Sequence, residues 1–477
     1  GERKMNEGVK KALKIAIPAI VGVIIAMIQP PEGLTKEAMT YLGIFECVVV
    51  WLMLGAVPDW AAFLACISAY VVFNVAKFGV VFAPFADSTV WLLIGAFGMT
   101  CALVKTGLVR RLAFAILSLF PENYKGQLTA FFVAGFAITP WIPAKIGKGV
   151  MVTPIAASAT KSLGYAARSK AATGIFLAVW VTTGILGYAF LTGAAPVMIL
   201  IGMLPAEQQG NWTWMSWLGA CAVWLIIVAV LSYIVILALY GPKKGDKEAL
   251  EQTSFEKGFA KKQLKEMGPM SNAEKLTGIL VFIAILGWIF GSKIGLGAPI
   301  ISVGIFAIMA VIGLVDTKDL TSNIPWDTAI FIGGILSLAS LLTQLGIAGW
   351  IAGVMAPIAA PVVSNPYVYV AAVCILTYLV RLVVVSSTAT QVIFLAALGS
   401  VAAACGISEY VTLFVCLCST AVWHLKFTNN EFIPLLGVQN GEMCEHEDTM
   451  PFNYAYMVIN MIGCLASVPV WQMLGLM

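Results

Sequence analysis

Apolar residues along this chain come in blocks, neither alternating nor forming narrow stripes. Runs of about 17 to 25 mostly apolar residues return from end to end, the length at which a helix crosses a hydrocarbon core. They predict spans at residues 12–28, 39–56, 58–75, 88–105, 170–192, 212–240, 276–291, 297–314, 327–344, 407–425 and 453–475. Two more segments, 126–160 and 366–404, are apolar at their edges but interrupted by small, polar and proline residues. Such segments suit re-entrant helical hairpins, because non-helical backbone at membrane depth is tolerated only where protein or water satisfies it. The pattern predicts an all-α polytopic membrane protein with about eleven transmembrane helices plus two re-entrant hairpins.

Composition narrows this further. Of the 477 residues 60% are hydrophobic and 11% charged, against about 25% charged in soluble proteins, and the mean hydropathy is +0.93. An ordinary soluble enzyme is excluded, as are disorder and coiled coil. A net charge of +4 offers no dense basic stripe for phosphates, so the lipid bilayer and not nucleic acid is the expected partner. The cysteines read as membrane-helix residues, and the pair Cys416 and Cys418 has no second pair to complete a zinc site. The basic start leads into its first apolar run without a small-residue cleavage motif, so that run is expected to be a retained helix.

The few charges are sorted. Of 28 Lys and Arg, 24 precede residue 277; with 15 acidic residues that part carries +9, while the remainder, with 4 basic and 9 acidic residues, carries −5. By the positive-inside rule the basic clusters and the N-terminus are expected to be cytoplasmic, the protein lying in a plasma (inner) membrane. Residues 241–275 read as an amphipathic cytoplasmic connector between halves 1–240 and 276–477. Trp91-Leu-Leu-Ile-Gly95 through Lys105-Thr-Gly107-Leu108 reappears as Ile330-Phe-Ile-Gly333 through Gln344-Leu-Gly346-Ile347. Lys105, Arg110 and Arg111 follow the first copy and no charge follows the second, as expected of an inverted repeat with opposite topologies.

Pro30-Pro-Glu-Gly-Leu-Thr-Lys-Glu-Ala38, Lys105-Thr-Gly-Leu108, Met267-Gly-Pro-Met-Ser271 and Pro325-Trp-Asp327 leading to Gly333-Gly334 resemble the divalent-anion:sodium symporter family, near its 2-oxoglutarate/malate translocators. The resemblance implies a dimeric carrier of di- and tricarboxylates or sulfate, with a scaffold domain and an elevator-like transport domain. It also implies a Ser-Asn-Thr triplet at each hairpin tip, whose side chains hold substrate carboxylates while backbone carbonyls hold sodium. The second triplet is partly matched by Ser386, Ser387 and Thr388. The first falls on Ala144-Lys145-Ile146, between Pro140 and Gly149, which puts a lysine where the family has a ligand.

Both tips suit an anion, because half-helix N-termini present unpaired N–H groups and a positive dipole end. The hydroxyls of Ser386, Ser387 and Thr388 suit either substrate binding or plain N-capping. An ammonium at membrane depth must snorkel, pair or face water, so Lys145 either reaches the cytoplasmic face, as Lys148 also can, or replaces a bound sodium ion. A tethered charge cannot leave with the substrate, which favours exchange or proton coupling over multi-sodium symport. Residues 190–196, with Thr192 and Gly193, resemble the family's unwound fifth helix, and residues 424–430 occupy the corresponding place in the second half. Substrate ligands are therefore expected at Lys145, Ile146, Thr192, Ser386, Ser387, Thr388, Thr428 and Asn429, and cation ligands at Gly193 and Ser387. Lys148, His424 and Lys426 are auxiliary charges, with a Lys426–Glu431 ion pair as the plain alternative. Sodium is the one expected coupling ion, with no other cofactor. The cluster of Glu442, Cys444, Glu445, His446, Glu447 and Asp448 lacks established metal-ligand spacing. Hydrolase motifs are absent, so no enzyme is expected, and a passive anion channel is the remaining rival to a carrier.

Overall fold

The computed structural model describes residues 7–242, 258–384, 386–425, 429 and 431–477. The first half contains α1 (Glu7–Met27), α2 (Lys36–Leu54), α3 (Asp59–Val72), α4 (Ser88–Thr106), α5 (Leu108–Leu119), α6 (Tyr124–Ile138), α7 (Lys145–Ser162), α8 (Lys170–Val179), α9 (Ala195–Met203) and α10 (Trp214–Tyr240). After α11 (Phe259–Glu266) come α12 (Asn272–Phe290), α13 (Ala298–Val311), α14 (Trp326–Gln344), α15 (Ile347–Val363), α16 (Pro366–Val380), α17 (Ser387–Phe394), α18 (Glu409–Ser419), α19 (Phe432–Val438) and α20 (His446–Met473). Among the described residues eight helical segments are long and apolar enough to cross a membrane, and four shorter apolar helices accompany them. Large side chains such as Ile226, Phe282 and Val311 are exposed on outward faces, where hydrocarbon is the matching solvent.

The repeat is visible in backbone conformation. Gly107 and Gly346 both adopt the left-handed region (φ 78° and 73°), the conformation in which glycine closes a helix at least cost. Each glycine turns a span, α4 or α14, into an amphipathic or apolar helix, α5 or α15, that precedes a hairpin. Both hairpins form as two helical arms: α6 and α7 are joined by a short 3-10 turn, Thr139–Trp141, and residues 142–144, and α16 is followed after Arg381 by α17, which Ser386 caps.

Packing crosses the sequence halves. One group forms where α3 packs on α14, α4 on α13 and α12, and α1 on α2. A second forms where α10 packs on α20, α8 on α6, α7 and α10, and α16 on α18 and α20. The groups meet where α9 lies against α4 and α14, and α17 against α2. The connector's described end, α11, lays Phe259 against the Phe114 ring on α5 at 5.8 Å; residues 243–257 lie outside the described residues.

Two of the resemblance motifs make structural contacts here. Arg111 pairs with Glu274 at 2.7 Å and donates to the Gly268 and Met267 carbonyls at 2.9 and 3.3 Å. Lys105 reaches Asp316 and Asp319 at 2.8 and 2.7 Å, and its ammonium holds the exposed Asp316 carboxyl down to about 2. A lowered carboxyl pKa contributes stability fully above its unfolded value of about 3.9 and loses it as pH falls towards the folded value, so this contact is intact at neutral pH. Arg111→Ala is expected to cost about 2–4 kcal/mol, because it strands a buried carboxylate and two carbonyls. Lys105→Ala, at the exposed and solvent-screened pair, is expected to leave the denaturation midpoint nearly unchanged. Thermal denaturation of both variants in detergent checks the ranking.

Candidate functional site

The first predicted break lies inside its span. After α8 the chain widens through Trp180–Ile185, tightens through Leu186–Ala189 and leaves helix until Ala195. Pro143, which cannot donate to a helix, gives its carbonyl to the Ala195 N–H at 3.1 Å, tying the inner hairpin tip to the break. Thr192 adds a second tie, donating to the Pro140 carbonyl at 2.6 Å and accepting the Trp214 indole N–H at 3.1 Å. Gly187 is required here, since a Cβ would stand 2.8 Å from the Gly193 carbonyl oxygen and 3.2 Å from the Lys148 ammonium.

Lys145 and Lys148 occupy the first turn of α7, where the helix dipole disfavours cations. Both are buried, so each needs a strong local partner. Lys145 forms an ion pair with Glu431 and donates to the Tyr188 hydroxyl at 2.6 Å. Its ammonium also stands 4.2 Å from the centre of the Tyr188 ring and 5.7 Å from that of Trp180, within cation–π range. Among the described residues Lys148 has no carboxylate within ion-pair distance. It donates to the Gly193 carbonyl at 2.6 Å and to the Thr139 carbonyl at 3.4 Å. The ammonium set against backbone carbonyls is thus that of Lys148, while Lys145 takes the carboxylate.

The second hairpin and second break lie beside these residues. The Thr420 hydroxyl donates to the Leu417 carbonyl at 2.6 Å and lies 2.6 Å from that of Ser387, tying the start of α17 to the end of α18. Lys145 in turn ties the second break, through Glu431, to Tyr188 in the first. Asn429 closes the second break: its amide donates to the Ala421 and Val422 carbonyls at 3.2 Å each and accepts the Glu431 and Phe432 N–H groups at 3.0 Å each. At the turn before α17, buried Arg381 donates to the Val384 carbonyl at 2.8 Å and interacts electrostatically with Glu431 and Lys145. Among the described residues three buried basic side chains, Lys145, Lys148 and Arg381, thus gather around the Glu431 carboxylate, an excess of two basic groups at the tips.

A cavity of about 690 Å³ opens beside the tips, lined by Ala144, Lys145, Ile146, Thr388, Pro196 and Glu431 and by Asp59, Trp60, Asp327 and Thr328 at the starts of α3 and α14. A second cavity of about 610 Å³ lies at the other end of α14, lined by Thr343 and Gln344 together with Asp87, Glu207 and Glu409. The tips open to the first. It lies on the face where Lys105 meets Asp316 and Asp319, just ahead of α14.

The structure brings Lys145, Ile146 and Thr388 to the cavity wall, with Ser386 and Ser387 buried beside them. Thr192 and Asn429 do not line it; their polar atoms are used in closing the breaks. His424 sits beside Asn453, its Nδ1 at 3.2 Å from Nδ2. Thr428 and Lys426 lie outside the described residues. The expected alternative Lys426–Glu431 pair therefore also lies outside the described residues, and Glu431 pairs with Lys145. Tyr188, Arg381, Asp59 and Asp327 were not singled out for the site by the sequence reading. Arg381 carries a signal that was available: it is the only arginine beyond residue 168 and stands five residues before Ser386. Among the described residues no His, Cys, Asp and Glu group could hold a metal; Glu445 and Asp448 form the capping box of α20.

The family described as the sodium:sulfate symporter transmembrane region matches residues 9–429. The inner membrane protein YbhI of Escherichia coli K12 is 29% identical over 359 residues, 72% of each chain. Dicarboxylate transporter 2 of spinach chloroplasts is 27% identical, over 72% of this chain and 62% of its own length. The L-tartrate/succinate antiporter of Escherichia coli O6:K15:H31 is 25% identical, over 78% of this chain and 80% of its own. In structure, Neisseria gonorrhoeae MtrF superposes with a TM-score of 0.55 at 14% identity, covering 99% of this chain and 96% of its own. At that identity the likeness is one of fold.

Proposed function

Because the chain belongs to the sodium:sulfate symporter family, a family of multi-pass membrane transporters, we propose that it carries small dicarboxylate dianions of the C4 or 2-oxoglutarate type. The observation that carries this reading is the cluster of Lys145, Lys148 and Arg381 around Glu431 at the hairpin tips, an excess of two basic groups to which a dianion is complementary; Asp59 and Asp327, which also line the cavity, stand on helices of the other packing group. Relatives named for dicarboxylates, malate, and tartrate and succinate support the substrate class. A dianion entering the cavity meets Lys145 and the Thr388 hydroxyl, with the first turns of α7 and α17 directing N–H groups towards it.

Coupling follows from the lysines. Lys148 fills with a tethered ammonium the place where the Gly193 and Thr139 carbonyls would hold a cation, and Lys145 fixes a second charge at the tip. Neither leaves with the substrate. Moving an empty site that retains this excess through the bilayer costs several kcal/mol, whereas moving it filled does not, so the carrier favours exchange of one dianion for another over multi-sodium symport. In this reading the second packing group is the moving, elevator-like domain and the first its dimeric scaffold, in an inner membrane with the N-terminus cytoplasmic. The two cavities at opposite ends of α14 are then its two access routes.

Proteoliposomes loaded with succinate test this. Uptake of labelled succinate is expected to be at least about tenfold faster than into unloaded vesicles, and to persist when choline replaces sodium. Complete dependence on sodium would overturn the ammonium-for-sodium reading, and sulfate outcompeting succinate would overturn the substrate class. A single-channel current in place of counterflow would make the protein a pore.

A further inference from the structure

Lys145 meets the cavity behind a carboxylate. Both members of the Lys145–Glu431 pair line the cavity, yet the lysine side chain is 3% exposed and that of the glutamate 17%. Elsewhere the ammonium is enclosed: it donates to the Tyr188 hydroxyl and stands against the Tyr188 and Trp180 rings, both of which are buried. Glu431 therefore covers the one side from which a solute in the cavity reaches the ammonium. Its backbone is anchored, with the N–H donated to the Asn429 side-chain oxygen at 3.0 Å. Its carboxylate is not, since among the described residues Lys145 is its one hydrogen-bond partner.

We propose that Glu431 is a tethered stand-in for a substrate carboxylate: it occupies the Lys145 ammonium in the empty protein and gives it up when a dianion binds. The inference rests on the reading of this cavity as a dicarboxylate site. Two carboxylates crowded on one ammonium repel each other, so occupancy by the substrate expels Glu431. When the substrate leaves, Glu431 returns, and the buried ammonium is never left without a carboxylate. Selectivity follows from the same exchange. A monocarboxylate only trades places with Glu431, one charge-assisted hydrogen bond for another. A dianion makes that trade and also brings a second carboxylate to the Thr388 hydroxyl on the same wall, so it alone gains.

The test is calorimetric titration of succinate and of propionate into the full-length protein in nanodiscs. Glu431→Gln is expected to tighten succinate binding at least about tenfold, the scale of a charge-assisted hydrogen bond no longer in competition, and to make propionate binding measurable where the wild type shows none. Glu431→Asp keeps the charge but shortens its reach by one methylene; an expected gain of about threefold keeps the test open if the Gln variant does not fold. Asp327→Asn removes a charge from the same wall without touching Lys145, and is expected to tighten binding less than about twofold. In a Lys145→Ala background the gain from Glu431→Gln should vanish, because the contact it relieves is already gone. In proteoliposomes Glu431→Gln should slow succinate exchange, since release no longer has Glu431 to replace the departing carboxylate. Equal gains from the Glu431 and Asp327 variants, unchanged or weaker succinate binding in both Glu431 variants, or a gain that survives in the Lys145→Ala background would overturn the stand-in while leaving the dicarboxylate reading intact. Absence of succinate binding in the wild type and every variant would overturn both.

Discussion

A Lys148→Ala variant is expected to lose at least about thirtyfold of its transport in sodium-free buffer and to recover part of it when sodium is added. The ammonium donates to the Gly193 and Thr139 carbonyls within a fully buried break. Removing it strands both acceptors at about 1–3 kcal/mol each, or about 2–6 kcal/mol for the pair. The lower figure already corresponds to a factor of about 30 in the population of a correctly formed site. Alanine also empties a space that two carbonyls line, and a small hard cation is the species those oxygens suit. Sodium therefore substitutes for the missing charge, and transport that ignored sodium in the wild type becomes stimulated by it. Uptake into proteoliposomes with sodium or choline, on protein whose denaturation midpoint has been measured, reads the effect. A variant as active as the wild type in choline would remove Lys148 from the mechanism.

The second large effect falls on the ion pair at the tip. Glu431→Gln leaves the Lys145 ammonium buried without its carboxylate, next to Lys148 and Arg381, and raises the excess of basic groups from two to three. Breaking one side of a buried pair costs about 3–5 kcal/mol, which should lower the denaturation midpoint by about 5–10 °C. Removing both members is different in sign. A Lys145→Leu/Glu431→Leu double variant is expected to recover most of that stability, since well-packed apolar groups replace a buried pair at little or no cost, while transport stays lost because the cavity has lost its ammonium. The contrast separates the pair's part in folding from its part in transport. Should both variants denature at the same temperature, Lys145 and Glu431 are not energetically coupled. Should the double variant transport succinate normally, Lys145 is not a substrate ligand.

The sequence reading went furthest where a local pattern has one physical solution. Span ends predicted from apolar blocks fall within a few residues of the helices for most elements, as at 88–105 against Ser88–Thr106 and 212–240 against Trp214–Tyr240. The turn before α7 and the break before α9 were visible because Pro140, Pro143, Gly193 and Pro196 interrupt long apolar runs. Lys145 stood out because a lysine between two breakers at membrane depth has few explanations.

Partners were another matter. Lys148 and Lys145 lie three residues apart in one helical turn, and nothing in their spacing says which faces Gly193 and which faces Glu431. Glu431 has a lysine five residues before it, yet its ammonium partner comes from Lys145, 286 residues away. Asp59 and Asp327, at the starts of α3 and α14, line the same cavity as Lys145 and Thr388 only because the two halves pack together.

The sequence by itself determined the membrane class, the repeat, the broken segments and the presence of a lysine at the inner tip. These follow from hydropathy and backbone satisfaction, which act over a few turns of chain. Only the tertiary structure decided which charge meets which: Lys148 the carbonyls, Lys145 the carboxylate and Arg381 the same cluster. Coulomb energies and desolvation depend on distances of a few ångströms between groups that are remote in sequence, and those distances are fixed only when the two halves pack through each other.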